Sequence, residues 1–169
     1  VGLVHRGRTV WSREWGGFRA GSTRRPLASA TKWLAASLVL HARDEGIVAL
    51  DDSFERHIPW FDENPELDFP GHPRGQSTLR QAFAMTSGLS DVQRCHTRET
   101  LDHRASVGCI LEQTAMPFAP GTWVGYDGKG MQVAGLAAIE AHPEYDDWQS
   151  YATEKLAGTC GLHHTTFDR

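Results

Sequence analysis

Pro26-Leu27-Ala28-Ser29-Ala30-Thr31-Lys32 is the stretch on which the reading of this chain turns. Pro26 and Leu27 lead into a run of helix formers over residues 28–44, where Trp33, Leu34, Leu38, Val39 and Ala42 supply apolar surface on most sides. A buried central helix is expected there, with Gly46 placed where a C-terminal cap belongs. Ser29 and Lys32 are three residues apart, so on a helix they share one face and lie within mutual reach. A serine hydroxyl at its free pKa is a poor nucleophile and needs a base beside it. Lysine can be that base when burial or nearby positive charge weakens its hold on the proton. The apolar residues after Lys32 predict such a setting, because an unpaired ammonium there is costly. Ser29 would also sit at the positive end of the helix dipole, where its N–H can help hold an oxyanion. Taken alone, Ser-x-x-Lys also describes an N-capping serine with a solvated lysine one turn on.

Before this stretch, Gly2-Leu3-Val4-His5 and Thr9-Val10-Trp11 are short β-prone runs around Arg6-Gly7-Arg8, which predicts a hairpin, with Gly16-Gly17 ending or bending the second strand. After it, Asp51-Asp52 open a short helical piece. Residues 58–76, with Pro59, Pro65, Pro70, Pro73, Gly71 and Gly75, are expected as loop. Ser77 is expected to cap a helix running through Met85 and stopped by Gly88. Further helices are predicted over residues 106–115, 129–141 and 147–157. The order is strands first and then almost entirely helices.

The 169 residues suffice for one domain with a real core. A formal charge of −4, with no basic block longer than Arg24-Arg25, argues against a nucleic-acid partner. No apolar run reaches the ~20 residues that a membrane span needs. The chain opens at Val1 on residues that read as strand, with no charged-then-apolar leader, so a piece of something longer is expected. Cys95, Cys109 and Cys160 allow at most one internal disulfide; Cys95 and Cys109 are the nearer pair, and three free thiols are the alternative. The nine histidines, His163-His164 among them, show no H-E-x-x-H or comparable spacing, so neither a metal nor another cofactor is expected.

A second chemical candidate is Tyr126, on the Gly-rich turn Pro120-Gly121-Thr122-Trp123-Val124-Gly125-Tyr126-Asp127-Gly128. A phenol presented there can relay a proton to a leaving group. With Tyr126 in place, four stretches resemble, in order, the β-lactamase-related serine hydrolases, which include class C β-lactamases, D-Ala-D-Ala peptidases and esterases. Residues 26–32 resemble the Ser-x-x-Lys helix start of that superfamily. Asp44-Glu45-Gly46 through Leu50-Asp51-Asp52 resembles the segment after it. Thr78-Leu79-Arg80-Gln81 to Met85-Thr86-Ser87-Gly88-Leu89 resembles the "T-L-R-x-L-L-x-H-T-S-G-L" stretch. Phe118-Ala119-Pro120-Gly121-Thr122 to Tyr126 resembles the "P-G-x-x-x-Y-S-N" region.

The resemblance implies an α+β, β-lactamase/transpeptidase-like fold: residues 1–27 as a hairpin of a mixed sheet incomplete in this chain, and residues 28–169 as a mainly helical part, together one partial domain. It implies an acyl-enzyme on Ser29, Lys32 taking its proton, and Tyr126 serving the leaving group or sharing the base role. The substrate would be a small-molecule ester, β-lactam or peptide. Asp127 and Gly128 fall where relatives carry substrate-contacting groups; the missing Asn amide tilts the reading toward an esterase. The Lys- or His-Thr-Gly strand of the superfamily does not occur before Arg169, so a C-terminal remainder of the domain is expected to be required, and a catalytically silent fragment or binding module is the alternative. A Cys95–Cys109 disulfide would suit a periplasmic or secreted protein.

Overall fold

A computed structural model of the protein describes residues 1–63, 68–69, 72–89, 95, 102–113, 115–162 and 164–166. Strands β1 (Gly2–His5) and β2 (Arg8–Ser12) form an antiparallel hairpin whose residues are all exposed, including Leu3, Val4, Val10 and Trp11. A 3-10 turn, Ala28–Ala30, leads into α1 (Thr31–Asp44), followed by α2 (Phe54–His57) and α3 (Trp60–Glu63). A two-residue ladder pairs β3 (Asp68–Phe69) with β4 (His72–Pro73). Then come α4 (Leu79–Phe83), α5 (His103–Gln113), α6 (Lys129–Glu140) and α7 (Trp148–Ala152), the last continuing as a π-helical turn, Thr153–Gly158.

The helix at the centre is α6, not α1. Its sequence, Lys-Gly-Met-Gln-Val-Ala-Gly-Leu-Ala-Ala-Ile-Glu, is apolar nearly all round, which is the pattern of a helix enclosed by others. It packs against α1, α2, α4, α5 and α7, with Val133, Ala134 and Ala137 fully buried. Small residues permit this approach: a Cβ on Gly130 would lie 2.6 Å from Ser87 Oγ, and one on Gly135 would touch the His103 and Trp148 rings at 3.5 Å. Truncating Leu136 to Ala in this layer costs about 2–5 kcal/mol.

The expectation of a buried α1 is corrected accordingly. Only Leu38, Val39 and Ala42 are buried on it, one stripe facing α6 and the Thr153–Gly158 turn, while Trp33 is 81% exposed. Apolar composition told how much greasy surface α1 has, but not which part of it this chain covers.

Other boundaries shift for local reasons. Thr78, not Ser77, caps α4: its Oγ1 accepts the Gln81 N–H at 3.2 Å and Gln81 Oε1 accepts the Thr78 N–H at 3.0 Å, a reciprocal capping box. Ser77 Oγ instead donates to the Ser87 carbonyl at 2.8 Å, and α4 stops at Phe83, short of the expected Met85. Asp52 does not open α2; its carboxylate accepts the Ala49 N–H at 2.7 Å and pairs with His57 at 2.9 Å. The stretch expected as pure loop holds α3 and the β3–β4 ladder, while Pro65, Pro70 and Gly71 lie outside the described residues. α5 begins at His103, three residues early, because the Asp102 carboxylate accepts the Ala105 N–H at 2.7 Å. Among the described residues no helix is long and apolar enough to cross a membrane.

Cys95 and Cys109 are disulfide-bonded with Cα atoms 5.7 Å apart, which ties Cys95 to α5. Ser106 Oγ reinforces the tie by donating to the Cys95 carbonyl at 3.2 Å. Cys160 is an exposed free thiol.

Candidate active site

Two elements far apart in sequence deliver the site. Ser29 lies in the 3-10 turn, two residues before α1 begins at Thr31, and Lys32 lies in the first turn of α1. The Ala30 N–H donates to the Leu27 carbonyl at 3.0 Å, and this closed turn keeps Ser29 and Lys32 on the same side. Lys32 Nζ donates to Ser29 Oγ at 3.1 Å.

Tyr126 comes from the loop before α6, and three sets of contacts seat it. The Gly121 N–H donates to the Thr86 carbonyl and the Gly125 N–H to the Met85 carbonyl, each at 2.8 Å, so the loop is strapped along the segment after α4. Phe118 lies beneath Gly125, where any Cβ would come within 2.9 Å of its ring. On the far side Asp127 Oδ1 accepts the N–H groups of Lys129 and Gly130, fastening the loop to the first turn of α6. The Thr-Ser-Gly-Leu segment thus has a physical use: Ser77, Ser87 and Leu89 N–H form a small buried hydrogen-bonded block that carries the strap.

From this seat the Tyr126 hydroxyl donates to Ser29 Oγ at 2.6 Å, across 97 residues of chain. Lys32 Nζ stands 5.0 Å from the centre of the Tyr126 ring, within cation–π range. The hydrogen bond to Ser29, then the hydrogen bond and positive charge of Lys32, outweigh desolvation and hold the Tyr126 phenol below the usual tyrosine range. A phenol so disposed gives up its proton more readily than one in water.

The structure therefore brings Ser29, Lys32 and Tyr126 together and leaves Asp127 out. Asp127 is buried and its carboxylate accepts from the start of α6, and Gly128, half-buried, follows as the N-cap. The setting is also wetter than the sequence predicts. Lys32 is half-buried rather than buried, Ser29 is exposed and Tyr126 is 68% exposed, because the Trp33 side of α1 faces solvent. Sequence reasoning missed the internal role of Asp127, although an Asp two to three residues ahead of the first helical N–H groups is an ordinary capping signal. It also missed Lys129, fully buried at the start of α6. No group of three or more His, Cys, Asp or Glu side chains able to hold a metal occurs among the described residues.

The fold recurs in known proteins. The crystal structure of a candidate beta-lactamase from Bacteroides dorei DSM 17855 superposes with a TM-score of 0.78 at 28% identity, over 97% of this chain and 46% of that one. The monacolin J acid methylbutanoyltransferase of Aspergillus terreus, strain NIH 2624 / FGSC A1156, is 39% identical over 74 residues, 39% of this chain and 18% of the relative. A second sequence of that transferase from Aspergillus terreus matches to the same extent. This chain thus spans less than half the length of the proteins it resembles. The beta-lactamase family model matches residues 1–169, and the chain belongs to the beta-lactamase family.

Proposed function

We propose that Ser29, Lys32 and Tyr126 form the acylation centre of a serine hydrolase acting on a small-molecule ester or amide. One observation carries this reading: two proton-handling groups from separate elements, Lys32 Nζ and Tyr126 OH, converge on one serine oxygen at 3.1 and 2.6 Å. In the reactive state one of the two is deprotonated and takes the Ser29 proton as Oγ bonds to the substrate carbonyl carbon. The tetrahedral adduct then expels an alcohol or amine, which leaves with a proton from the same Lys32–Tyr126 pair. Water attacks the acyl-Ser29 ester, releases the acid and returns the proton to Ser29. Lys32 contributes its positive charge as well, since an ammonium beside the phenol favours the phenolate.

The absent amide at Gly128 favours an esterase over a peptidase or β-lactam hydrolase. A variant of the same chemistry, in which an alcohol rather than water accepts the acyl group, is supported by the methylbutanoyltransferase relative. An oxidising compartment, periplasmic or secreted, fits the Cys95–Cys109 bond.

The test is covalent labelling. Incubation with a fluorophosphonate or a penicillin-type probe should add one probe mass to the chain, and Ser29→Ala should abolish the adduct. An adduct that survives in the Ser29→Ala variant would falsify the assignment.

A further inference from the structure

Three non-glycine residues among those described have left-handed backbones: Arg6 at φ 49°, Met85 at φ 59° and Ala28 at φ 46°. Arg6 sits in the two-residue connection between β1 and β2, where turns of inverse hand match the twist of the strands. Met85 follows the end of α4, and the Thr86 N–H returns to the Gln81 carbonyl at 2.8 Å, a common way for a helix to close. Ala28 has neither excuse. It ends no helix and joins no hairpin; it stands second in the turn closed by Ala30 N–H to Leu27 O, directly before Ser29.

Alanine gains nothing local from this conformation, because its Cβ crowds the backbone there and its side chain is exposed, with no packing to compensate. What the conformation does fix is the direction in which the next residue leaves the turn. We propose that Ala28 is a positioning residue, whose left-handed backbone aims Ser29 Oγ at the meeting point of Lys32 Nζ and Tyr126 OH. Rotating φ of residue 28 to the ordinary negative region swings the Ser29 Cα–Cβ bond away, and a displacement of about 1 Å at a reacting atom is enough to cost ~100-fold in rate. The proposal rests on the acyl-enzyme reading for its rate, but its geometric half can be measured without turnover.

The experiment compares substitutions of similar size and opposite tolerance for φ > 0. Ala28 lines a cavity of about 900 Å³, so a larger side chain has room. Asn and Gly adopt the left-handed region readily, whereas Val, β-branched, is a severe outlier there. Ala28→Gly and Ala28→Asn should keep fluorophosphonate labelling within about threefold of the parent, while Ala28→Val should slow it ~100-fold. The Gly and Asn variants should melt no lower than the parent, since both relieve the ~1–2 kcal/mol left-handed penalty, and each variant should remain folded at the labelling temperature. The second readout is the ultraviolet titration of Tyr126. In the Gly and Asn variants the phenol should stay below the tyrosine range, and in the Val variant it should return upward as the hydrogen bond between Tyr126 and Ser29 is lost. If Ala28→Val unfolds, Ala28→Thr replaces it, since threonine is β-branched as well and its hydroxyl suits an exposed position. Should Asn and Val variants behave alike in both readouts, Ala28 is not the aiming residue. Should the parent fail to label at all, the acyl-enzyme reading falls, and the titration still decides the role of Ala28.

Discussion

Replacing Gly88 by alanine tests whether the strap under Tyr126 is as tight as its geometry requires. Gly88 has φ +86°, and a Cβ built on it would lie 2.5 Å from the Phe118 carbonyl oxygen and 2.9 Å from the Met116 methyl. The methyl could yield, but the carbonyl is backbone, and Phe118 belongs to the loop that ends in Tyr126. Placing an L side chain in the left-handed region costs about 1–2 kcal/mol. Forcing an extra methyl into a filled space costs a further ~1–3 kcal/mol. Against these, the loss of unfolded-state freedom on going from Gly to Ala returns about 0.4–1 kcal/mol. The net is about 3 kcal/mol of destabilisation, equivalent to a fall in Tm of roughly 6–12 °C for a chain of this size. Gly46 supplies the control: its φ is +77° and a Cβ there meets nothing within 4 Å. Gly46→Ala therefore carries only the backbone penalty, and its Tm should fall by no more than about 4 °C. Thermal or urea denaturation followed by circular dichroism measures both. If the two variants melt within about 2 °C of each other, the close approach of Phe118 to Gly88 is not what holds the strap, and the reasoning fails.

Two further outcomes follow from ties elsewhere in the chain. Burial works against ionisation of Glu45, yet the hydrogen bond from Lys155 and the charges of His41 and Lys155 prevail and lower its pKa, while Lys155 is raised by the same pair. A lowered carboxylate stabilises the fold above its unfolded value of 4.5 and loses that contribution as pH falls; a raised lysine stabilises below 10.5 and loses it as pH rises. Glu45→Gln should thus cost roughly 0.5–1 kcal/mol, discounted for partial exposure, between those limits, and the deficit should shrink below about pH 4 in a urea-denaturation series. Reducing the Cys95–Cys109 bond, with its sequence separation of 14, should remove about 3 kcal/mol by freeing the unfolded chain. Calorimetry with and without reductant, or of Cys109→Ser, measures the loss.

The parts of the site that the sequence made legible are those with strict local spacing. Ser29 and Lys32 had to share a face at a separation of three, whether the turn between them is 3-10 or α, and Tyr126 was marked by the glycines that let its loop double back. Helices α5 and α6 were legible as runs of helix-compatible residues on either side of Pro117 and Pro120. Burial was not, because it depends on which neighbour arrives. The apolar residues of α1 look like those of a core helix, and only the packed structure assigns that place to α6, whose Gly130 and Gly135 allow contacts that α1 could not make. Adjacent hydroxyls at Ser77 and Thr78 offered two caps, and the choice rested on Gln81 standing three residues past the second. Asp127 was read through its neighbour Tyr126 as a site residue, when its short side chain was already committed to amides next to it in sequence.

That commitment has a further reach. Tyr126 and Asp127 are consecutive, one turned to Ser29 and the other pinned into α6, while Ser29 travels with α1, which leans on the same α6. The Ser29 hydroxyl and the Tyr126 phenol therefore ride on two separate beams that meet along a greasy seam of Leu38, Val39 and Ala42. An ångström of slippage along that seam would open the 2.6 Å gap between their oxygens without touching either residue. Under the proposed acylation, substitutions buried far from any substrate would thus act on the rate of the first chemical step, and the bundle would be the gauge block against which Ser29 and Tyr126 are set.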